Sequence, residues 1–554
     1  MRWWCFLLLP HFIFAQGSPL PAGHPGYPIL DRLEVLQGRN DYFHASLKYL
    51  DRQDVVDFVL NLDSSLQVSA AGDLQYLLAD NSEWLPDSLQ VMSRRKPLFR
   101  HFYRSPAAFY GVREQGFFLQ ADPVLRLSAG VDREDSQALF ENTRGLTLRG
   151  GVDDRLYFSL EILESQARFP AYVRDWIARN RAIPGAGLYK TYSSTLLDIS
   201  GGHDFLNSQS YLAFKVTPHV GVQLGYGRNF IGQGYRSLLL SDFAANHLFL
   251  KLNWRVWKLH YQNLFAELGH TSPVQQGGLG LVPKKYLAAH HLSIQIRPNL
   301  NFGLFEAVVF ERDNFFELNY LNPFIFYRSI EGALGSPDNV LIGADVRWNL
   351  FRRLQVYGQF QLDEFKFDEL FLERRGWWAN KYAFQLGLKW INMLGVDHLD
   401  LTLEYNQARP YTYTHRDSSA NYAHFNQPLA HPLGAGFRES VALLRYQPAQ
   451  RWLLEGRLIR VAAADDPPGQ NQGNNILLSY LSRAQDYNNR IGQGLGYRTL
   501  IAGLDLSYQI RHNTFLDVSY GYRKKDSADD RLDQLSHFVS SGIRVNLGRS
   551  RFDF

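Results

Sequence analysis

Cysteine is nearly missing from this chain: of 554 residues, only Cys5 carries a thiol. It lies in an apolar stretch, Trp3 to Phe14, preceded by Arg2 and followed by Ala15. Met1 to Ala15 reads as a secretory signal, too short to cross a bilayer as a helix. The context around Cys5 is not that of a lipoprotein, so no lipid anchor is expected. The exported chain would hold no disulfide, no cysteine-zinc site and no thiol nucleophile. Past the signal there is no apolar run of about 18 residues, which excludes membrane-spanning helices. Net charge is small, +4, with no basic run and no acidic tail, so no nucleic-acid partner is expected.

Aromatic residues are abundant, at 14%, with 38 Phe, 30 Tyr and 11 Trp. They sit in a pattern of period two that returns about eighteen times after residue 116. Tyr382, Phe384, Leu386, Leu388 and Trp390 are large and apolar, while Ala383, Gln385, Gly387 and Lys389 between them are small or polar. Strand side chains alternate faces, so such a segment has one apolar and one polar wall. Ile342, Ala344, Val346, Trp348 and Leu350 face lipid on this reading, with Asp345, Arg347 and Asn349 in the lumen. Leu399, Leu401, Leu403 and Tyr405 alternate likewise with Asp400, Thr402, Glu404 and Asn406. Long alternating strands with terminal aromatics predict an all-β protein: a transmembrane antiparallel outer-membrane barrel of about 18 strands.

Short connections, such as Phe351-Arg352 and His512-Asn513, alternate with long ones at roughly 167–207, 229–244, 269–285, 312–337, 365–379, 409–436, 464–496 and 525–535. Short turns are periplasmic and long loops extracellular in such barrels, which places both termini in the periplasm. The terminal Phe554, with Phe552, resembles the assembly signal of such barrels. Ile543, Val545 and Leu547 have the opposite parity, which a bulge near Gly548 would reconcile. Residues 113–554 form the barrel on this reading. Residues 16–112 read as a small, partly helical periplasmic region, or as a partial plug of the lumen. There, Asp51 is the expected N-cap of a helix carrying Val55, Val56, Val59 and Leu60, and a second helix covers about Gly72 to Ala79.

Several motifs invite chemistry and have simpler readings. Gly492-x-Gly494-x-Gly496 lies in no βαβ unit, so tight backbone at a loop base fits better than phosphate binding. Its echo, Ile231-Gly232-Gln233-Gly234-Tyr235-Arg236, is read the same way, with Tyr and Arg at the rim. His290-His291, placed at a strand start, point to opposite faces and do not share a metal. Asp465-Asp466 and Asp529-Asp530 read as solvated loop charge, with weak calcium binding as the other reading. No catalytic residue, metal or cofactor is assigned.

The outer loops carry Trp377, Trp378, Arg409, Tyr411, Tyr413, Tyr422, His424 and Asn426. Aromatic faces stack on sugars while amides and Arg bond hydroxyls and acidic groups, which makes these eight a candidate glycan site. The same residues also suit an aromatic girdle and a loop cap.

The chain also resembles the capsule assembly Wzi family, in particular the Bacteroidetes branch that includes the gliding motility protein RemB. The resemblance rests on His44-Ala45-Ser46-Leu47-Lys48, Asn229 to Leu238, Tyr320-Leu321-Asn322-Pro323, Leu334 to Asn339, Leu362-Asp363-Glu364-Phe365, Tyr405 to Tyr411 and Asn426 to Pro432. It covers about residues 40 to 440. It implies an 18-stranded outer-membrane barrel with a small helical part, and either surface polysaccharide organisation or gliding and adhesion. Its implied partners are surface polysaccharide, outer-membrane lipid and gliding or secretion machinery. No binding residue is carried over from the family. The competing readings are a porin-like channel, distinguished by conductance, and a hydrolase at the loop rim, distinguished by acyl or phospholipid cleavage.

Overall fold

The computed structural model describes residues 17–21, 23–89, 102–103, 105, 107–195, 199–274, 280–324, 326–335 and 338–554. The stretch read as a secretory signal, with Cys5, lies outside the described residues. Eighteen antiparallel strands close into one barrel. The first six are β1 (Phe117–Asp132), β2 (Leu139–Val152), β3 (Leu156–Arg168), β4 (Ile199–Lys215), β5 (Val220–Gly227) and β6 (His247–Val256). They are followed by β7 (Leu259–Gly269), β8 (Lys284–Arg297), β9 (Leu300–Phe310), β10 (Asn339–Leu350), β11 (Leu354–Glu364) and β12 (Lys381–Trp390). The last are β13 (Leu399–Ala408), β14 (Phe437–Ala449), β15 (Trp452–Asp465), β16 (Leu495–Arg511), β17 (Thr514–Ser527) and β18 (Gln534–Val545). Closure runs from Leu125↔Val545 to Asp132↔Phe538, pairing β1 with β18. The expected parity holds on β10, where Ile342 and Trp348 are 47% and 46% exposed while Arg347 is 0%. His290-His291 lies inside β8 rather than at its start. His291 faces the lumen and bonds Asp345 at 2.5 Å, whereas His290 faces outward.

Four helices precede the barrel: α1 (Gly26–Gln37), α2 (Arg52–Leu60), α3 (Ser64–Ser69) and α4 (Ala71–Asp80). Asp51 caps α2, its carboxylate accepting from the Gln53 N–H at 2.9 Å, with Asp54 in the first turn. Leu30, Leu33, Val55, Phe58, Val59 and Leu77 form the shared core. This body sits in the mouth at the short-turn end of the barrel and reaches lumenal side chains on several strands. Asp31 pairs with Lys389 at 2.7 Å, Arg32 with Asp400 at 2.8 Å and Asp54 with Arg255 at 2.6 Å, and Glu34 pairs with Arg347.

Asp80 ties α4 to the short turn between β16 and β17. It accepts from Arg52 (2.9 Å) and Asn513 (2.8 Å), and lies 3.2 Å from His24 and 3.3 Å from His512. Gly26 N–H donates to His24 Nδ1 at 3.0 Å, so the imidazole donates to Asp80 through Nε2 as a neutral ring. Burial holds the His24 imidazole below its usual range, with Asp80 pulling the other way. Burial works against the Asp80 carboxylate, and donors from His24, His512 and Arg52 outweigh it, holding the group well below the carboxylate range. A lowered His pKa removes stability as pH falls below the unfolded value of about 6.5, and a lowered Asp pKa removes it below about 4. Hydrogen-exchange protection of α1–α4 is therefore expected to be constant from pH 8 to 7. It should then fall in two stages, the first smaller in His24→Gln, with buried His44 supplying the remainder. Protection independent of pH down to 4 would contradict the assignment.

The chain end departs from expectation. After Val545 the backbone leaves the wall and climbs inside the lumen, so Phe554 is neither the last strand residue nor periplasmic. Arg549 meets Asp505 at 3.1 Å, Arg551 meets Glu455 at 2.7 Å and Asp553 meets Arg457 at 3.1 Å. Phe554 packs against Trp176 (5.4 Å) and Tyr172 (6.2 Å) of α5 (Ala171–Asn180), a helix in the β3–β4 loop. No bulge at Gly548 is needed, because the tail is not in register with the sheet.

Candidate functional site

The loop between β5 and β6 turns inward and meets the N-terminal body in mid-lumen. Lys48 N–H donates to Phe230 O at 3.1 Å and Gly232 N–H to Ser46 O at 2.7 Å. Gly232 has φ 145°, a backbone conformation that strains any side chain, and its Cβ would also crowd Gln359 Nε2 at 2.5 Å. Tyr235 and Arg236 therefore lie in the lumen, not at the rim. Arg236 pairs with Glu439 at 2.9 Å, and the Tyr235 and Arg236 amides donate to Glu404 at 2.7 and 3.1 Å. Polypeptide thus enters the barrel from both ends and narrows its lumen. Between the two bodies lies a cavity of about 1380 Å³, edged by Arg445, Arg544, Arg549, Arg551, Glu141 and Glu455.

The loop 409–436 roofs this assembly, and it contains six of the eight candidate glycan residues. Tyr411, Tyr413, Tyr422 and His424 are at most 2% exposed. The three tyrosine hydroxyls donate to Asn471 O (2.9 Å), Leu238 O (2.7 Å) and Leu239 O (2.8 Å). Burial pushes the Tyr411 phenol up to about 12 and holds Tyr413 and Tyr422 higher still, so all three stay neutral donors. His424 Nδ1 accepts from Gly269 N–H at 2.9 Å and its ring stacks on Phe425 at 3.9 Å. Asn426 is half-buried and donates to Asn180 O at 3.0 Å. Arg409 donates to Trp377 O and Asn489 O at 3.4 and 3.3 Å. In this conformation these residues build the cap, each with at least one side-chain polar atom bonded to protein.

Trp377 and Trp378 differ. Trp378, 8% exposed, packs on Tyr480 at 4.7 Å with the Arg483 guanidinium 4.5 Å over its ring. Half-buried Trp377 lies 5.1 Å from Tyr487, itself 36% exposed and covered on one side by Arg375 at 4.4 Å. Tyr487, Trp377, Trp378 and Tyr480 thus form a row of rings with centroids 5.1, 5.8 and 4.7 Å apart along two outer loops, flanked by two guanidiniums. Tyr480, Tyr487, Arg375 and Arg483 were not singled out from sequence. Their loop, 464–496, is far from Trp377 in the chain and shows no aromatic cluster of its own.

The loop carboxylates are engaged. Asp465 pairs with Lys525 at 2.7 Å, Asp466 accepts from Asn474 Nδ2 at 2.8 Å and Asp529 pairs with Arg531 at 2.7 Å. Among the described residues no group of three or more His, Cys, Asp or Glu is arranged to hold a metal. Gly492 and Gly494 have φ of 85° and 99°, the tight loop-base backbone read from the sequence.

A closed 18-stranded barrel with an outward apolar face is the fold class of outer-membrane barrels. In fold it is similar to Wzi of Escherichia coli, an outer-membrane protein involved in group 1 capsule assembly and a carbohydrate-binding β-barrel. The TM-score is 0.58 at 15% identity, over 97% of this chain and 100% of that one. OprD of Pseudomonas aeruginosa aligns at a TM-score of 0.41 and 10% identity, over 77% of this chain and 94% of that one. No protein-family model and no curated protein matches the chain.

Proposed function

We propose that this barrel stands in the outer membrane and binds surface polysaccharide through its outer loops. The row Tyr487, Trp377, Trp378, Tyr480 carries the reading: half-buried Trp377 and exposed Tyr487, backed by the other two rings, suit stacking on sugars, and Arg375 and Arg483 suit acidic substituents. Polypeptide folded into the lumen from both ends supports it over a wide channel, and the Wzi-like fold is consistent with it. The reading covers both services that the family resemblance implies, capsule attachment and gliding adhesion. A deletion strain scored for both separates them. The barrel is a rigid stand, and weak contacts repeated along a polymer add through avidity.

The test is binding of the organism's own purified exopolysaccharide to the refolded barrel. Saturable binding is expected, weakened roughly tenfold by Trp377→Ala with Tyr487→Ala, since each stacking contact is worth about 0.5–1.5 kcal/mol. Planar-bilayer recordings of the same preparation should show no steady current. Absence of binding together with ohmic conductance would replace this reading with a channel.

A further inference from the structure

The loop between β9 and β10, which contains Tyr320-Leu321-Asn322-Pro323, folds down the outside of the barrel. Cross-strand register places Leu252, Asn263, His290, Glu306 and Ile342 in one row on the outward face. Three polar side chains in a lipid-facing row would be costly if left bare. The loop covers them. Glu306 accepts from the Tyr327 and Arg328 amides at 3.0 and 3.2 Å, at the start of α6 (Tyr327–Leu334). Asn263 donates to Pro323 O at 3.2 Å, and the Tyr327 ring stacks on His290 at 3.8 Å. His290 and Glu306 are thereby only 7% exposed.

The covering segment then turns its own apolar side outward. Leu318, Phe324 and Phe326 are 72%, 71% and 73% exposed. Phe324 rests 6.0 Å from both Trp254 and Tyr261, in the row of lipid-facing Leu304. From Leu304 to the outer strand end at Phe310 is about 20 Å of chain, or about 15 Å along the axis of a barrel with strands tilted by about 40°.

We propose that residues 315–324 and 326–334 belong to a flap immersed in the outer leaflet, with lipid acyl chains as the partner of its exposed face. Its outward surface continues that of Leu304 and Ile342, each 47% exposed on the same wall, so the medium that covers them covers the flap. The outer loops are therefore not all aqueous. One is a lateral membrane contact, held by a His–Glu–Asn row that it shields.

In a Cys5→Ser background, single cysteines at Leu318 or Phe324 would carry a bimane label in the full barrel, refolded in phosphatidylcholine vesicles. Leu304→Cys serves as the lipid-facing reference and Leu481→Cys as the aqueous one. Acyl-chain-brominated phosphatidylcholine is expected to quench both flap labels about as strongly as Leu304→Cys. Aqueous iodide should quench them several-fold less than Leu481→Cys. Iodide quenching equal to that at Leu481→Cys would overturn the proposal. So would protection from both quenchers that is lost on dilution, the signature of a second copy on this face. A heat-dependent gel shift identifies folded preparations, and the two flap positions guard against one variant misfolding.

Discussion

Glu439→Ala is expected to destabilise the barrel by about 3–5 kcal/mol, the usual cost of removing one partner from a buried ion pair. Glu439 faces the lumen from β14 at 1% exposure. It accepts from Arg236 Nη2 at 2.9 Å, His431 Nε2 at 2.8 Å and Asn406 Nδ2 at 3.0 Å. Leu433 N–H donates to His431 Nδ1 at 3.2 Å, so the ring is the neutral Nε2–H form, and burial holds it below the usual imidazole range. The alanine variant leaves the Arg236 guanidinium buried without its carboxylate. Water reaching it must displace the inward loop 229–244 or the roof at 431–436. A surface pair would cost about 0–1 kcal/mol, so the magnitude itself reports burial. The check is urea unfolding combined with hydrogen exchange. Those two segments should lose protection first while the strands keep theirs, and Glu439→Gln, which keeps one acceptor, should fall between. A loss under 1 kcal/mol would mean that the inward loop is not anchored here.

The strands were legible because a lipid wall and a wet lumen impose opposite demands on alternate residues. Asp345, Arg347 and Asn349 took the parity that lipid forbids them elsewhere, and each faces the lumen. Where loops go was not legible. Arg236 and Glu439 lie 203 residues apart, so nothing local marks the loop 229–244 as bound for the lumen rather than the rim. Tyr411, Tyr413 and Tyr422 show the same limit. Aromatic composition is shared by a girdle, a cap and a sugar site, and only the partner of each hydroxyl separates them. Glu306 and His290 broke the rule for charge in strands, and that breach was the sequence-level trace of the flap. Another trace was the parity mismatch between Val545 and Phe554: a tail that has left the sheet owes it no register.

That tail supports a second large effect. A chain cut after Asn546 is expected to insert and close normally, because β18 ends at Val545 and its whole pairing with β1 and β17 remains. What the cut removes lies inside the barrel. Arg549 and Arg551 leave Glu455 and Asp505, Asp553 leaves Arg457, and Phe552 O no longer accepts from Tyr172 at 2.9 Å. Hydrogen bonds to charged groups are each worth about 1.5–3 kcal/mol, and water in the adjoining cavity will recover part of that. The loss should therefore fall unevenly. The β15 and β16 carboxylates rehydrate, while α5, packed on Phe554 and Phe552, loses an apolar floor that water cannot replace. The truncated barrel should keep its heat-dependent gel shift and unfold at lower urea. Proteolysis of intact cells should cleave it within 169–186, where the full chain resists. Failure of the truncated chain to reach the membrane would mean that Phe554 is read during assembly before it folds inward. Normal insertion with unchanged protection of α5 would mean that the tail is a passenger in the lumen rather than its fastening.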